Sequence, residues 1–365
     1  MKTIYITTFQ NADNYGAMLQ CYALSGSLSE KYQTSVIDYD NKNISAQYKL
    51  IRRVEKNPLK TAYHFIVDLI NLKDAKIRKN NFSNFRNAIP LTHTVDRIDD
   101  LKIEDGDIFI AGSDQIWNPL LTKGFDSVYF LETSAKDIKR ISYAASCGSP
   151  SVLEGHHRQF KNLISKFDAI SVRENSLANY IYEKTGVETS TVLDPTFLLP
   201  REKWEAIVGK KRIVKDKYIF VYSVGNANEL FCNTVKKLAR ETGLKVIFFD
   251  KKQIKKNRTK GERWYKAGPS EFLNLLFYSE FVVTTSFHGF ALSAILNKKM
   301  IVVLSTYPDR LLTLAETIGL SDRVVAEEKE AEHVLARNPD WDQVNNRLKK
   351  ARSESMNWLI SAIES

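Results

Sequence analysis

Cysteine is scarce in this chain. Its 365 residues include three, Cys21, Cys147 and Cys232, which lie far apart. No CxxC pair and no partnering His spacing is present, which excludes a disulfide framework and a structural zinc site. Each reads as a small buried hydrophobe. With 15 glycines and 9 prolines, the chain is neither low-complexity nor fibrous. No stretch approaches the 18 or so apolar residues of a membrane span. Residues 1–9, MKTIYITTF, hold one Lys and then alternate as a strand does. They lack an apolar h-region and a small-residue cleavage site, so no signal peptide is expected and a cytoplasmic location is. Helix-turn-helix, zinc-finger and RNP signatures are all missing, so nucleic acid is not an expected partner. No metal site is expected.

What is present is an ordinary folded composition, long enough for two domains. The formal charge is +10, and it is uneven. Residues 47–93 hold ten Lys/Arg against three Asp/Glu, and residues 251–266 hold eight against one. Each window is +7, which leaves the remainder of the chain at −4. Such a patch is either a solvated face or a contact for an anionic surface, lipid or substrate.

Strand and helix patterns alternate. Lys2–Phe9, Gly16–Lys31 and Ser35–Asp40 read as a βαβ opening. A helix is expected over Pro58–Leu72, followed by a polar stretch carrying Phe82 and Phe85. We read about 47–93 as a basic helical insertion. Buried-type strands follow at Asp107–Ala111, Arg140–Ala145 and Ala169–Val172. Pro195 and Pro200 mark a linker. A second series starts at Tyr218: strands at Tyr218–Val224, Lys245–Asp250, Phe281–Thr284 and Met300–Leu304, with helices at Ala227–Thr242, Ser270–Ser279 and Phe290–Leu296. The reading is α/β, with Rossmann-like domains at 1–198 and 199–340, an interdomain cleft, and a C-terminal helix at 341–365 that returns to the first domain. Ligands of such folds bind beyond the carboxyl ends of the strands.

Five segments at expected strand ends carry polar chemistry. In NADNYGAMLQ, Asn14 and Gly16 precede a helix whose first N–H groups suit an anion or a sugar hydroxyl. In AGSDQIWNP, the grouping of Ser113, Asp114, Gln115 and Trp117 suits a carbohydrate. The polar side chains would bond hydroxyls, the indole would stack on a ring, and Asp114 would act as base. The alternative is an Asx-turn with a core Trp. In SVRENS, Arg173 would point into the cleft, where its planar fork fits carboxylate or phosphate. The alternative is a salt bridge to Glu174 or another acid. Asp194 in VLDP reads as a turn former. In TTSFHG, Ser286, His288 and Gly289 open a helix, where the positive dipole end favours phosphate and a His can deliver a proton.

The segments NYGAMLQ, GSDQIWN, ISVRENS, VLDPTFLL and SFHGFALSAIL, in this order, resemble the polysaccharide pyruvyl transferase family. The resemblance runs from about residue 10 to about 305. It implies a glycosyltransferase-B-like fold and transfer of pyruvate from phosphoenolpyruvate onto two hydroxyls of a sugar, forming a ketal. It makes Arg173 the donor-binding Arg and His288 the His of an Arg-Leu-His-Gly segment. Ser286 and Phe287 stand here in place of that Arg and Leu, so one cationic donor contact is missing. The implied assignment puts the donor on Arg173, Ser286, His288 and Gly289, with the acceptor on Asn14, Gly16, Ser113, Asp114, Gln115 and Trp117. His288 would be the acid and Asp114 the base. No cofactor is implied besides phosphoenolpyruvate as donor substrate. The acceptor would be a sugar or lipid-linked oligosaccharide of a capsular or exopolysaccharide precursor, met at the inner face of the membrane. A nucleotide-sugar-dependent glycosyltransferase of the same fold is the rival reading.

Overall fold

A computed structural model describes residues 2–51, 58–225, 227–249, 261–304 and 308–365. The chain divides into two compact units, one of Met1–Leu198 with Ser353–Ser365 and the other of Leu199–Arg352.

The first unit is built on strands β1 (Thr3–Thr7), β2 (Gln33–Tyr39), β3 (Leu91–Val95), β4 (Ile108–Ala111), β5 (Lys139–Ala145), β6 (Ala169–Val172) and β7 (Ser190–Thr191). They form a parallel sheet in the order β3-β2-β1-β4-β5-β6-β7. Its helices are α1 (Tyr15–Ser29), α2 (Lys42–Ser45), α3 (Pro58–Ile70), α4 (Leu72–Arg86), α5 (Pro119–Thr122), α6 (His157–Ile164) and α7 (Asn175–Thr185). Every residue of β4 is buried, as expected of a central parallel strand covered on both faces. Between Ser142 and Ala145 the register of β5 on β6 shifts, and Ala144 has φ 50°. This is a bulge, which re-aims the end of β5.

The second unit carries α8 (Arg201–Val208), β8 (Tyr218–Tyr222), α9 (Glu229–Thr242), β9 (Lys245–Phe248), β10 (Gly261–Arg263), α10 (Pro269–Phe277), β11 (Phe281–Thr284), α11 (Phe287–Ile295), β12 (Met300–Val303), α12 (Asp309–Ile318), β13 (Val324–Val325), α13 (Glu328–Ala336) and the first half of α14 (Trp341–Glu364). Its parallel sheet runs β10-β9-β8-β11-β12-β13. Both units are therefore Rossmann-like. In each, the strand order reverses beside the first strand, between β1 and β4 and between β8 and β11. A crevice opens at such a reversal, and that is where doubly wound sheets take their ligands.

The C-terminal end of α14 packs on the first unit. Ser355 Oγ accepts from the Leu193 N–H at 3.0 Å, Trp358 lies 6.3 Å from the Tyr143 ring, and Leu359 and Ile363 are buried. Among the described residues no helix is long and apolar enough to cross a membrane.

The expected elements are present with small shifts. The polar stretch after Pro58–Leu72 is itself a helix, α4. Residues 52–57 of the first basic window, and 251–260 of the second together with the end of the expected strand at Asp250, lie outside the described residues.

Candidate functional site

The reversal point of the first sheet is lined by the residues after β1 and β4. Asn14 caps α1, its Oδ1 accepting from the N–H groups of Gly16 at 2.9 Å and Ala17 at 3.2 Å. The cap satisfies donors that the sequence reading had offered to a ligand. After β4 the backbone enters unusual territory. Gly112 has φ 148°, and a Cβ there would lie 2.0 Å from the Tyr143 carbonyl oxygen. Asp114 follows in the left-handed region at φ 72°. With Ala144 of the bulge, two non-glycine residues hold positive φ side by side, since Asp114 and Ala145 form a bridge. Each such residue costs on the order of 1–3 kcal/mol and persists where its surroundings over-determine it, commonly at sites of function.

The loop after β4 is only partly open. Asp114 and Gln115 are half-buried. Ser113 is buried: its hydroxyl lies 2.8 Å from the Ala144 carbonyl and 3.2 Å from Asp194 Oδ2, and its N–H donates to Gln20 Oε1. Trp117 corrects the expectation of a sugar platform. Its indole is fully buried, stacks on Phe130 at 5.6 Å, meets Phe160 and Phe167 edge-on at 5.7 Å, and donates Nε1–H to the Tyr129 carbonyl. An aromatic cluster of this kind is core, and removing its largest ring would cost about 3–5 kcal/mol. Gln115 Oε1 accepts from Asn118 and lies over Gly148, where a Cβ would come within 2.3 Å of it.

Arg173 is the second correction. Its side chain is 1% exposed rather than presented outward. Nη1 lies 2.7 Å from Asp194 Oδ2, Nη2 lies 3.5 Å from Asp114 Oδ1, and Nε lies 4.0 Å from Glu174 Oε2. Asp194 also accepts from the N–H and hydroxyl of Thr196, and Glu174 Oε1 accepts from Ser146. Burial pushes the Arg173 pKa down, but Asp194, Asp114 and Glu174 outweigh it and the net direction is up. The guanidinium stays charged. Of its three carboxylates only that of Asp114 is partly exposed, at 13%.

Further polar side chains hold the loop before α1, and the sequence pattern assigned none of them. Tyr48 hydrogen-bonds the Asn14 side chain; burial and nearby Asp114 raise its pKa. Arg86 donates to the Gln10 carbonyl at 3.0 Å and to Asp13 Oδ1 at 3.3 Å, and Arg78 donates to the Asp13 carbonyl at 2.8 Å and to the Tyr15 hydroxyl. Burial raises the Asp13 pKa against the pull of Arg86 and Arg78. Arg78, Phe82, Phe85 and Arg86 lie on one face of α4. That spacing was the available signal, diluted by the Lys and Asn residues between.

The reversal point of the second sheet holds the TTSFHG segment. Thr284 Oγ1 donates to the Tyr222 carbonyl at 2.7 Å and accepts from the Ser286 N–H at 3.0 Å. Ser286 caps α11, accepting from the Gly289 N–H at 3.3 Å. Ser286 and Gly289 thus serve the cap. Gly289 also allows close packing, because a Cβ there would lie 2.4 Å from Thr284 Oγ1. His288 stands in the first turn of α11, mostly buried, with its ring 5.3 Å from that of Phe287. The positive end of the α11 dipole lies at this turn. Ser223, just after β8, is buried, and the Val224 N–H donates to Thr285 Oγ1. Among the described residues no group of three or more His, Cys, Asp or Glu side chains could hold a metal ion.

Comparison with known proteins gives a family and a fold. The sequence model of one family, described as polysaccharide pyruvyl transferase, matches residues 14–307. A search of curated proteins finds no match. Among solved structures the chain is similar to UDP-N-acetylglucosamine 2-epimerase from Rickettsia bellii, with TM-score 0.53 and 12% identity over 100% of this chain and 97% of that one. It is also similar to UDP-GlcNAc 2-epimerase from Neisseria meningitidis bound to UDP-GlcNAc, with TM-score 0.50 and 10% identity over 99% and 100%. A third is the S. aureus MnaA–UDP co-structure, with TM-score 0.50 and 14% identity over 96% and 91%. At these identities the likeness is one of fold, glycosyltransferase-B-like.

Proposed function

The chain belongs to the polysaccharide pyruvyl transferase family, and on that premise we propose that it transfers pyruvate from phosphoenolpyruvate to a sugar of a cell-surface or capsular polysaccharide precursor, forming a pyruvate ketal. The observation that carries the reading is His288, in the first turn of α11 at the reversal point of the second sheet. A proton donor beside a helix N-terminus is what the donor's chemistry asks for. Protonation of the methylene carbon of the enol makes the adjacent carbon an oxocarbenium-like centre. A sugar hydroxyl adds there and loses its proton. Phosphate then leaves with the electrons of its C–O bond, and a second hydroxyl closes the ketal and loses its own proton. His288 supplies the first proton, and the dipole of α11 favours the phosphate.

On the first unit, Asp114 is the base for an acceptor hydroxyl, with Gln115 beside it. Arg173 orients Asp114 through Nη2. Ser113 and Trp117 support the loop from within, and Asn14 and Gly16 hold the start of α1. The acceptor is a sugar or a lipid-linked oligosaccharide, met in the cytoplasm at the inner face of the membrane.

The test is incubation with phosphoenolpyruvate and candidate lipid-linked or soluble oligosaccharides. Expected are a product heavier by one pyruvate ketal and release of phosphate, neither of them formed with a nucleotide sugar. A rise in melting temperature with a nucleoside diphosphate but none with phosphoenolpyruvate would turn the reading to a glycosyltransferase.

A further inference from the structure

Helix α3 wears its polarity reversed. Asp68 is buried, whereas Phe65, Ile66, Leu69 and Ile70 are 45%, 56%, 46% and 71% exposed. At 100° per residue these four span about 140° of the helix, a single face, and exposed Ala62 falls within it. A contiguous apolar face of this size in water marks an interaction surface. The helix that follows explains why the face is held outward. One side of α4 is tied down: Arg78 and Arg86 bond the β1–α1 loop, the Arg78 guanidinium lies 4.5 Å from the Tyr15 ring and 4.6 Å from that of Phe82, and Phe85 packs 5.3 Å from Tyr22. Lys73, Lys76, Ile77 and Lys79 remain exposed along it, and α3 runs into α4 through the single residue Asn71, whose N–H donates to the Val67 carbonyl and whose carbonyl accepts from the Ala75 N–H.

We propose that α3 docks into the headgroup region of an anionic bilayer, with Phe65, Ile66, Leu69 and Ile70 in the acyl boundary and Lys73, Lys76 and Lys79 on lipid phosphates. Three observations select this occupant. The 13 residues of α3 extend about 20 Å, too short to span the ~30 Å hydrocarbon core but long enough to lie in its surface. The surrounding window, residues 47–93, carries a net +7, which complements anionic lipid. A second copy of the chain fits less well, because a two-fold contact through this face would bring Lys73, Lys76 and Lys79 towards their own copies. The docking has a consequence for the site. Arg78 bonds the Asp13 carbonyl and the Tyr15 hydroxyl, so the pair of successive helices that meets lipid also grips the loop around Asn14. The inference extends the reading of a lipid-carried acceptor.

The test is flotation of the full chain with vesicles, and it needs no knowledge of the reaction. Phosphatidylcholine vesicles are compared with phosphatidylcholine containing phosphatidylglycerol, at low and high salt, for the wild type, Ile66→Ser/Ile70→Ser and Lys73→Gln/Lys76→Gln/Lys79→Gln. All five positions are exposed, and unchanged circular dichroism and melting temperature confirm the fold. Expected are flotation of the wild type with anionic vesicles, a loss of roughly tenfold or more in apparent partition for the Ile pair, and a loss of salt dependence for the Lys triple. Failure of the wild type to float with anionic vesicles overturns the proposal. So does equal flotation of the Ile pair, or of the Lys triple. A wild-type dimer that the Ile pair converts to monomer by light scattering would assign the face to a second copy. Product formation with a soluble acceptor is measured separately, so failure to dock and failure of the pyruvyl reaction are told apart.

Discussion

Arg173 Nη1 stands 2.7 Å from Asp194 Oδ2, and both side chains are almost wholly withdrawn from water. Asp194 closes the same carboxylate onto Thr196 and Ser113. The residue that reads from sequence as a turn former is the main counter-ion of the residue that reads as the donor clamp.

Arg173→Ala should therefore destabilise the first unit rather than leave it intact. The substitution removes a cation paired with three carboxylates, two of them fully buried, and the loss should be about 3–5 kcal/mol. Urea unfolding of Arg173→Ala and Arg173→Lys checks this. An Ala variant with an unchanged midpoint would show that Asp114, Asp194 and Glu174 do not depend on it.

His288→Gln keeps the size and a hydrogen-bond donor but cannot pass a proton. Turnover at saturating phosphoenolpyruvate should fall by about 10²–10⁴-fold, with donor affinity changed much less. If affinity weakens instead while turnover survives, His288 holds phosphate and another group is the acid. Steady-state kinetics and donor titration separate the two.

Gly289→Ala places a methyl 2.4 Å from Thr284 Oγ1 and 3.3 Å from the Tyr222 ring. Strand β11 and helix α11 must part to admit it, so a cost of roughly 1–3 kcal/mol is expected. Because His288 rides on the same turn, turnover should drop along with melting temperature. Thermal unfolding and kinetics on the same sample decide it; a variant stable and active as the wild type would contradict the close packing.

Lys298 is a half-buried ammonium whose Nζ donates to the Phe277 carbonyl at 2.7 Å. Burial pulls its pKa down to about 8, with Arg201 and Arg212 adding to the shift and Glu280 opposing it. The unfolded value is near 10.4, so between about pH 8 and 10 the unfolded chain binds the extra proton. Stability from this group should therefore rise as pH rises through that window. Lys298→Met should be favoured over the wild type more at pH 7 than at pH 10. Urea midpoints at the two values test it, and a constant difference would refute the shift.

The legible parts of the fold are those where burial leaves a continuous apolar run. Ile108–Ala111, Ala169–Val172 and Phe281–Thr284 announce themselves as strands because both faces are covered. Leu91–Val95, LTHTV, does not, because an edge strand half in water carries polar residues at most positions. The site was legible as loops but not as side chains. A strand pattern tells where the chain leaves the sheet. It does not tell whether the next side chain turns inward, as Trp117 and Ser113 do, or stays half open, as Asp114 and Gln115 do. The bulge at Ala144 and the left-handed Asp114 settle that, and neither has a residue-type signature. In α3 the spacing correctly predicts an amphipathic helix, yet spacing alone cannot say that its apolar side faces out.

The single helix α14 belongs to both units, which gives the chain an order of completion. The second unit spans Leu199–Arg352, while the first needs Ser353–Ser365 as well. On a ribosome the strands of the first unit emerge before the second unit but must wait for Ser355, Leu359 and Ile363, which are made after it, so the first unit is completed only after the second. A stop codon after Arg352 should spare the later-made half and leave the earlier one exposed along the surface that Leu359 and Ile363 cover, detectable as protease cleavage confined to residues before 199.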